Sequence, residues 1–460
     1  MPFLPLELVI IVLRELGDAK YALCRASLVC RSWLPVARSL LFRHIRIQPL
    51  GLECQLVLGL CESPLETFSL ARAHELSIDS RHHTVVPPTP HPTDLNCLLN
   101  WRSSDGQRTL TTVLEHVSDL KLSGLRWWTL DSCAKRTMLD GFRSVTKLHL
   151  SRLLFDVFDT PTSNATDDFV ALLNSFPALE ALDVESIHLP LNSAQREHRV
   201  VPTKLRSISL KEVGGNSRVM ECLAPCPNVE VLAFTNLRPR HWFLLTPEWA
   251  TALAGILNSA GESLKELTLA IPPGLVDPQA SPALGKSLHT HTLNHIVLNL
   301  IMTALDLFLE LLNISTTPNL EHINVSTDDP LFTLSFLQRL AASYDHFAGA
   351  SLRSLSIPSL ASLPQNPDHF NFGQLDRLLQ HPVFAKVHEL NFQIHAHAYG
   401  ELIYMLDPNE RGQGADSLFE MVIKRKISEF RRLMPLCDER GILRAEVVFW
   451  YVFSVSPRLV

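Results

Sequence analysis

The sequence predicts an α/β chain. Three short N-terminal helices are followed by an irregular solenoid of strand–helix units with a parallel inner sheet and outer helices. Two observations carry this. The first is a greasy N-terminal segment with helix punctuation, Leu4-Pro5-Leu6-Glu7-Leu8-Val9-Ile10-Ile11-Val12-Leu13, then Leu28-Val29-Cys30-Arg31-Ser32-Trp33, then Leu40-Leu41-Phe42. The second is a recurring motif in the rest of the chain: apolar, two residues, apolar, one residue, apolar. A length of 460 residues is too great for one compact core and suits a repeat array.

In the N-terminal segment, Pro5 suits a first helical turn, where its missing N–H costs nothing. Helix one runs to about Leu16, with Gly17 beyond its end. Asp18 is a natural N-cap for helix two over about Ala19 to Val29, and Ser32 for a third helix with Pro35 in its first turn. Helix one is apolar around almost its whole circumference, from Leu6 to Leu16. A surface helix should bury a single stripe. Two short neighbours cannot cover the rest, so the surplus points to a docking surface for another protein.

The repeat motif occurs at Val117-Leu120-Leu122, Val145-Leu148-Leu150, Leu179-Leu182-Val184, Leu205-Ile208-Leu210 and Val229-Leu232-Phe234. It continues at Leu264-Leu267-Leu269, Leu293-Ile296-Leu298, Leu320-Ile323-Val325, Leu352-Leu355-Ile357 and Val387-Leu390-Phe392, with Leu76-Ile78 as a degenerate first unit. Starts lie 24 to 35 residues apart. Each match reads as a short strand, and helical signals fill the intervals. These are Phe169–Phe176 behind Thr166-Asp167-Asp168, Trp249–Leu257 behind Thr246-Pro247, Leu305–Leu312, Phe336–Phe347 and Leu375–Leu379. After the strands stand Leu125, Ile187 and Leu237, where an asparagine ladder would need Asn, so apolar contacts must hold these turns. Proline-rich stretches at Pro87–Pro92, Pro272–Pro282 and Pro358–Pro367 read as long loops. Leu418–Leu433 is a basic amphipathic helix and Ala445–Val455 an apolar strand, expected together to cap the last unit.

Function classes narrow from here. A net charge of −6 speaks against a nucleic-acid binder, and no segment is long and apolar enough to span a membrane. A short apolar run flanked by Glu7, Arg14 and Glu15 is not a secretory signal, so a cytoplasmic or nuclear, non-secreted protein is expected. The nine cysteines are irregularly spaced and read as buried free thiols, Cys30 among them as head core. No phosphate loop, nucleophile elbow or H-E-x-x-H motif is present. His82-His83, His91, His289, His291, His395 and His397 lack a matching ligand set. No catalytic residue, metal site or cofactor is expected.

The N-terminal residues resemble an F-box. The matching positions are Leu4-Pro5 with Glu7-Leu8, Ile11 and Leu13, Leu28-Val29-Cys30-Arg31, Trp33 and the closing Leu41-Phe42-Arg43. The body resembles the leucine-rich-repeat domains joined to F-boxes in large fungal families. The resemblance implies docking onto a Skp-type adaptor through Leu4, Pro5, Leu8, Ile11, Leu28, Val29 and Trp33, and through it to a cullin–RING ubiquitin ligase. It divides the chain into an F-box at 1–48, a linker and degenerate first repeat at 49–110, the repeat solenoid at 111–400 and a C-terminal cap at 401–460. By the same analogy, the outward residues of the strands face a protein target. They include Lys147, His149, Asp183, Glu185, Lys211, His295, His322, Asn324 and Glu389. This implies a substrate-recognition subunit of a ubiquitin ligase that makes no bonds itself. The alternative is a scaffold acting without ubiquitin transfer. The target's identity is not legible.

Overall fold

In the computed structural model, the described residues are 5–16, 19–48, 51–63, 73–80, 93–155, 165–187, 189, 202–212, 217–224, 226–235, 247–271, 319–327, 330–344, 352–360, 371–397 and 415–450. The chain divides into two compact units, Met1–Asn228 and Val229–Val460.

The first unit opens with α1 (Leu6–Glu15), α2 (Lys20–Ser27) and α3 (Trp33–Leu41). Pro5 stands before the first turn, and its carbonyl accepts the N–H groups of Leu8 and Val9. Val9 and Leu13, one turn apart on α1, are buried with Leu23 and Ala26 of α2 and Ala37 of α3. Leu16, Trp33, Val36, Leu40 and Leu41 close around them. Helix α2 is shorter than the sequence predicts. The N–H groups of Leu28 and Val29 turn back to the carbonyls of Arg25 and Ala26, three residues behind, which tightens and ends the helix. Ser32 occupies the N-cap position of α3 but makes no cap; its hydroxyl meets the Cys30 thiol at 3.0 Å instead. Gly17 and Asp18 lie outside the described residues.

Only Phe42 and Arg43 separate α3 from β1 (His44–Ile47), a strand that the sequence pattern did not reveal. It pairs in parallel with β2 (Glu75–Asp79), the degenerate unit. Helices α4 (Gly51–Glu62), α5 (Thr93–Leu99) and α6 (Leu110–Val113) fall in the stretch expected as linker. Strands β3 (Asp119–Ser123), β4 (Lys147–Ser151), β5 (Ala181–Glu185) and β6 (Ser207–Lys211) follow in register, each parallel to its predecessor. Helix α7 (Ser132–Gly141) is capped by Asp131, whose carboxyl accepts the Ala134 N–H at 2.7 Å. Helices α8 (Ala165–Asn174) and α9 (Ser217–Leu223) complete the unit. The acids Asp167 and Asp168 lie inside the first turn of α8, where they favour its dipole, rather than ahead of it.

The strands alternate strictly. Leu120, Leu122, Leu148, Leu150, Leu182, Val184, Ile208 and Leu210 are buried, and their neighbours face outward. Two backbone devices recur. Where a strand begins, one carbonyl accepts two consecutive N–H groups of the next unit. His74 takes Ser118 and Asp119, Ser118 takes Thr146 and Lys147, and Thr146 takes Glu180 and Ala181. Where a strand ends, a left-handed residue turns the chain: Gly124 (φ 66°), Arg152 (53°), Ser186 (52°) and Glu212 (54°). The N–H groups of Gly124, Arg152 and Ser186 donate to the carbonyls of Ser151, Glu185 and Lys211. The next residues, Leu125, Leu153 and Ile187, are buried, so backbone bonds and apolar burial do the work of the missing asparagines. Leu237 is outside the described residues. Replacing Gly124 by Ala places a Cβ in the left-handed region and is expected to cost about 1 kcal/mol. Arg152→Gly relieves the same strain but loosens the unfolded chain, leaving stability within about 0.5 kcal/mol. Urea denaturation of both variants checks the pair.

The second unit begins with β7 (Val231–Thr235), α10 (Pro247–Ala260) and β8 (Glu266–Ile271). Strand β8 pairs with β7 on one edge and directly with β9 (His322–Thr327) on the other. The expected strand at Leu293-Ile296-Leu298, and with it His295, lies outside the described residues, as do Leu305–Leu312 and the first two proline-rich stretches. Helix α11 (Pro330–Tyr344) starts at its proline, earlier than the predicted Phe336, and buries Phe336, Leu337 and Leu340. Strand β10 (Ser354–Leu360) runs through Pro358 into the stretch expected as a loop. Its pairing with β11 (Glu389–His397) shifts register between Ile357 and Leu360, where Pro358 has no N–H to give. Between these strands lies α12 (Phe372–Leu378). Helix α13 (Ala415–Leu433), α14 (Pro435–Glu439) and β12 (Leu443–Trp450) end the described chain, with β12 parallel to β11. Phe430 of α13 lies 4.6 Å from Phe392 and 5.6 Å from Phe372, ring to ring.

Candidate functional site

Burial of Val9 and Leu13 fixes the roll of α1, and the same roll exposes the intervening residues. Leu8 is 46% exposed, Ile11 54% and Val12 47%. The turn after α2 is more open still, with Leu28 at 84% and Val29 at 63%. Tyr21, two turns before Leu28, is also exposed; Arg25 lies 4.4 Å over its ring and donates to its hydroxyl. Apolar side chains of this size left fully in water forgo about 1.5–3 kcal/mol each, and a covering partner recovers the exposed share.

The outward sheet face of the first unit is a ladder of cross-strand ion pairs. Glu75 holds Lys121 at 2.9 Å and His44 at 3.1 Å, and Arg46 holds the buried Asp79 at 2.8 Å. His149 stands between two acids, its Nδ1 3.2 Å from Asp183 and its Nε2 3.4 Å from Asp119; Lys211 donates to Asp183 at 2.9 Å. The Ser151 hydroxyl donates to Glu185. Burial works to raise the Asp183 carboxyl, but the His149 and Lys211 hydrogen bonds and the Lys211 charge outweigh it and hold the group at about 2. An unfolded aspartate titrates near 3.9. The stabilisation from this depressed group is therefore complete above about pH 4 and is lost as pH falls through about 2. Asp183→Asn is expected to flatten the decline of stability with acid in that window, read by urea denaturation at stepped pH.

The second unit presents a different face. Outward residues in register form one row of Glu266, His322, Ser354 and Glu389 and another of Thr268, Asn324, Ser356 and Asn391. The row of Thr268, Asn324, Ser356 and Asn391 carries amides and hydroxyls without charge.

Residues 1–48 match the F-box-like family model. No curated protein matches the chain. A domain of this kind supports an adaptor role in ubiquitin-ligase complexes and is typical of their substrate-receptor subunits.

Of the residues expected to dock, the F-box-like segment exposes Pro5, Leu8, Ile11, Leu28 and Val29. Trp33 is half-buried against the segment's own core, and Leu4 lies outside the described residues. Sequence reasoning passed over Val12 and Tyr21, although Val12 sits one turn after Leu8 and Tyr21 two turns before Leu28. Cys30, expected in the core, is exposed because it sits in the turn after α2 rather than within a helix. Cys24, Cys97 and Cys133 are exposed as well, whereas Cys54, Cys61, Cys222, Cys226 and Cys437 are buried. None of the nine is in a disulfide.

On the sheet, His149, Asp183 and Lys211 are joined in one chain of contacts and Glu185 meets Ser151, while Lys147 stands exposed beside them. His322, Asn324 and Glu389 share the face of the second unit. Among the described residues no group of three or more His, Cys, Asp or Glu is placed to hold a metal, and no helix is long and apolar enough to cross a membrane. Three basic residues of α13 are paired: Lys424 with Glu420, Arg425 with Glu429 and Arg431 with Asp438.

Proposed function

We propose that the chain is a substrate-recognition subunit of a Skp–cullin–F-box ubiquitin ligase. Its N-terminal helices dock a Skp-type adaptor through Pro5, Leu8, Ile11, Leu28 and Val29, with Leu4 and Trp33 completing the set implied by the F-box. The leucine-rich array binds a protein target with its open sheet face. A cytoplasmic or nuclear setting follows from the partners. The observation that carries this reading is the exposed apolar row on a segment matching the F-box-like family. The subunit contributes proximity: it holds target lysines near the charged ubiquitin carrier and so raises their effective concentration.

Affinity purification of the full chain from cells with an active ligase pathway tests the proposal. A Skp-type adaptor, a cullin and ubiquitinated clients should be recovered together. Adaptor without cullin or ubiquitinated clients supports instead a scaffold acting without ubiquitin transfer. Recovery of no adaptor refutes the ligase reading.

A further inference from the structure

Most outward acids of the two units face a base on a neighbouring strand, although Glu185 of the first unit meets the Ser151 hydroxyl instead. In the first unit, Glu75, Asp79, Asp119 and Asp183 each face a basic side chain on a neighbouring strand. In the second unit, acids at the strand starts are matched as well, Glu230 by Lys265 at 2.7 Å and Glu321 by Arg353 at 3.7 Å. Glu266 and Glu389 have no such partner among the described residues. They occupy the same row, on β8 and β11, with His322 and Ser354 between them. Three strand spacings put them about 14 Å apart. Alongside runs the neutral row of Thr268, Asn324, Ser356 and Asn391. Arg444, in register with Asn391 on β12, bounds that row with a positive charge.

We propose that this face binds an extended basic polypeptide. Its main chain lies across the strands on Thr268, Asn324, Ser356 and Asn391, and two cationic side chains four residues apart pair with Glu266 and Glu389. The inference rests on the reading that the open sheet face takes the target, and it names the target's chemistry. An extended chain advances about 3.4 Å per residue, so residues four apart and on the same side span about 14 Å, matching the glutamates. Neutral amides and hydroxyls both donate and accept, as a main chain requires. A phosphate-bearing polymer would instead meet two uncompensated carboxylates.

The test uses the purified full chain and an array of short Ser/Gly peptides carrying a lysine pair at varied spacing, with glutamate-pair peptides as controls. Retention should peak when the lysines are four residues apart. A Glu266→Gln, Glu389→Gln double variant should weaken that retention about tenfold or more. A Glu266→Lys, Glu389→Lys variant should move retention to the glutamate-pair peptides, an exchange that a merely structural role cannot produce. Failure to retain any lysine-pair peptide, indifference to spacing, or retention unchanged in the glutamine variant overturns the proposal. Adaptor capture measured on the same preparations separates the outcomes: if it persists while peptides fail, only the target chemistry is wrong. If wild type captures no adaptor, the ligase reading itself falls.

Discussion

The chain carrying Leu8→Asp and Ile11→Asp is expected to lose a Skp-type adaptor in pulldown, while its circular dichroism stays that of wild type and its melting temperature falls by a few degrees at most. Both side chains are about half exposed, and neither belongs to the Val9–Leu13 core. Burial of that exposed half against a partner is worth about 1 kcal/mol for each. Losing two, with a charge driven into an apolar interface, weakens binding by about 100-fold or more. The fold tolerates the change because aspartate costs an exposed helix position only about 0.7 kcal/mol. Val9→Asp is the contrasting variant: that residue is buried beside Leu23, Ala26 and Ala37, so it should unfold the three helices and lose the adaptor for a different reason. Leu28→Asp should reproduce the surface phenotype, since Leu28 is the most exposed large apolar residue of the described segment.

The second large effect lies far from the head in sequence. Asp376, on α12, is buried, and its two carboxyl oxygens accept the N–H groups of Cys437 and Leu436 at 2.9 and 3.0 Å. Those donors open α14 and have no intrahelical partner, so the side chain acts as a cap delivered from another element. Arg440 at the other end of α14 donates to the carbonyls of Leu379 at 2.7 Å and Phe384 at 2.9 Å. Burial, reinforced by Asp376, also pushes the Cys437 thiol far above its ordinary range, so it rests as a neutral thiol. Asp376→Ala orphans two buried donors at about 1–3 kcal/mol each, giving an expected loss of about 3 kcal/mol. Asp376→Asn keeps one acceptor oxygen and should lose about half as much. Denaturant unfolding measures both, and limited proteolysis should cut the alanine variant first near residues 434–442. Stability within about 0.5 kcal/mol of wild type would contradict the capping role.

The strand motif was legible because it follows from burial alone: a leucine at every second position of a short strand must face the core, and Leu120, Leu148, Leu182 and Ile208 all do. The surplus on α1 was legible for the same reason, as an excess of apolar residues over what two short helices can cover. Three features were not. Strand β1 carries only Ile45 and Ile47, too little periodicity to stand out beside the helix that precedes it. The direct pairing of β8 with β9 was hidden, because a local motif says nothing of which strands become neighbours. The left-handed turns at Arg152 and Ser186 hold no glycine, so their conformation is imposed by the neighbouring units' carbonyls rather than announced by residue type. Ionic pairing across the sheet was equally hidden: Asp119, His149, Asp183 and Lys211 meet only once the register is known.

Hydrogen exchange of the full chain, with and without a purified Skp-type adaptor, tests the central claim most directly. The docking account requires new protection in α1 and in the Arg25–Trp33 stretch, with the sheet strands unchanged. Adaptor binding that leaves both stretches exchanging as before, or that protects the sheet face instead, would contradict it.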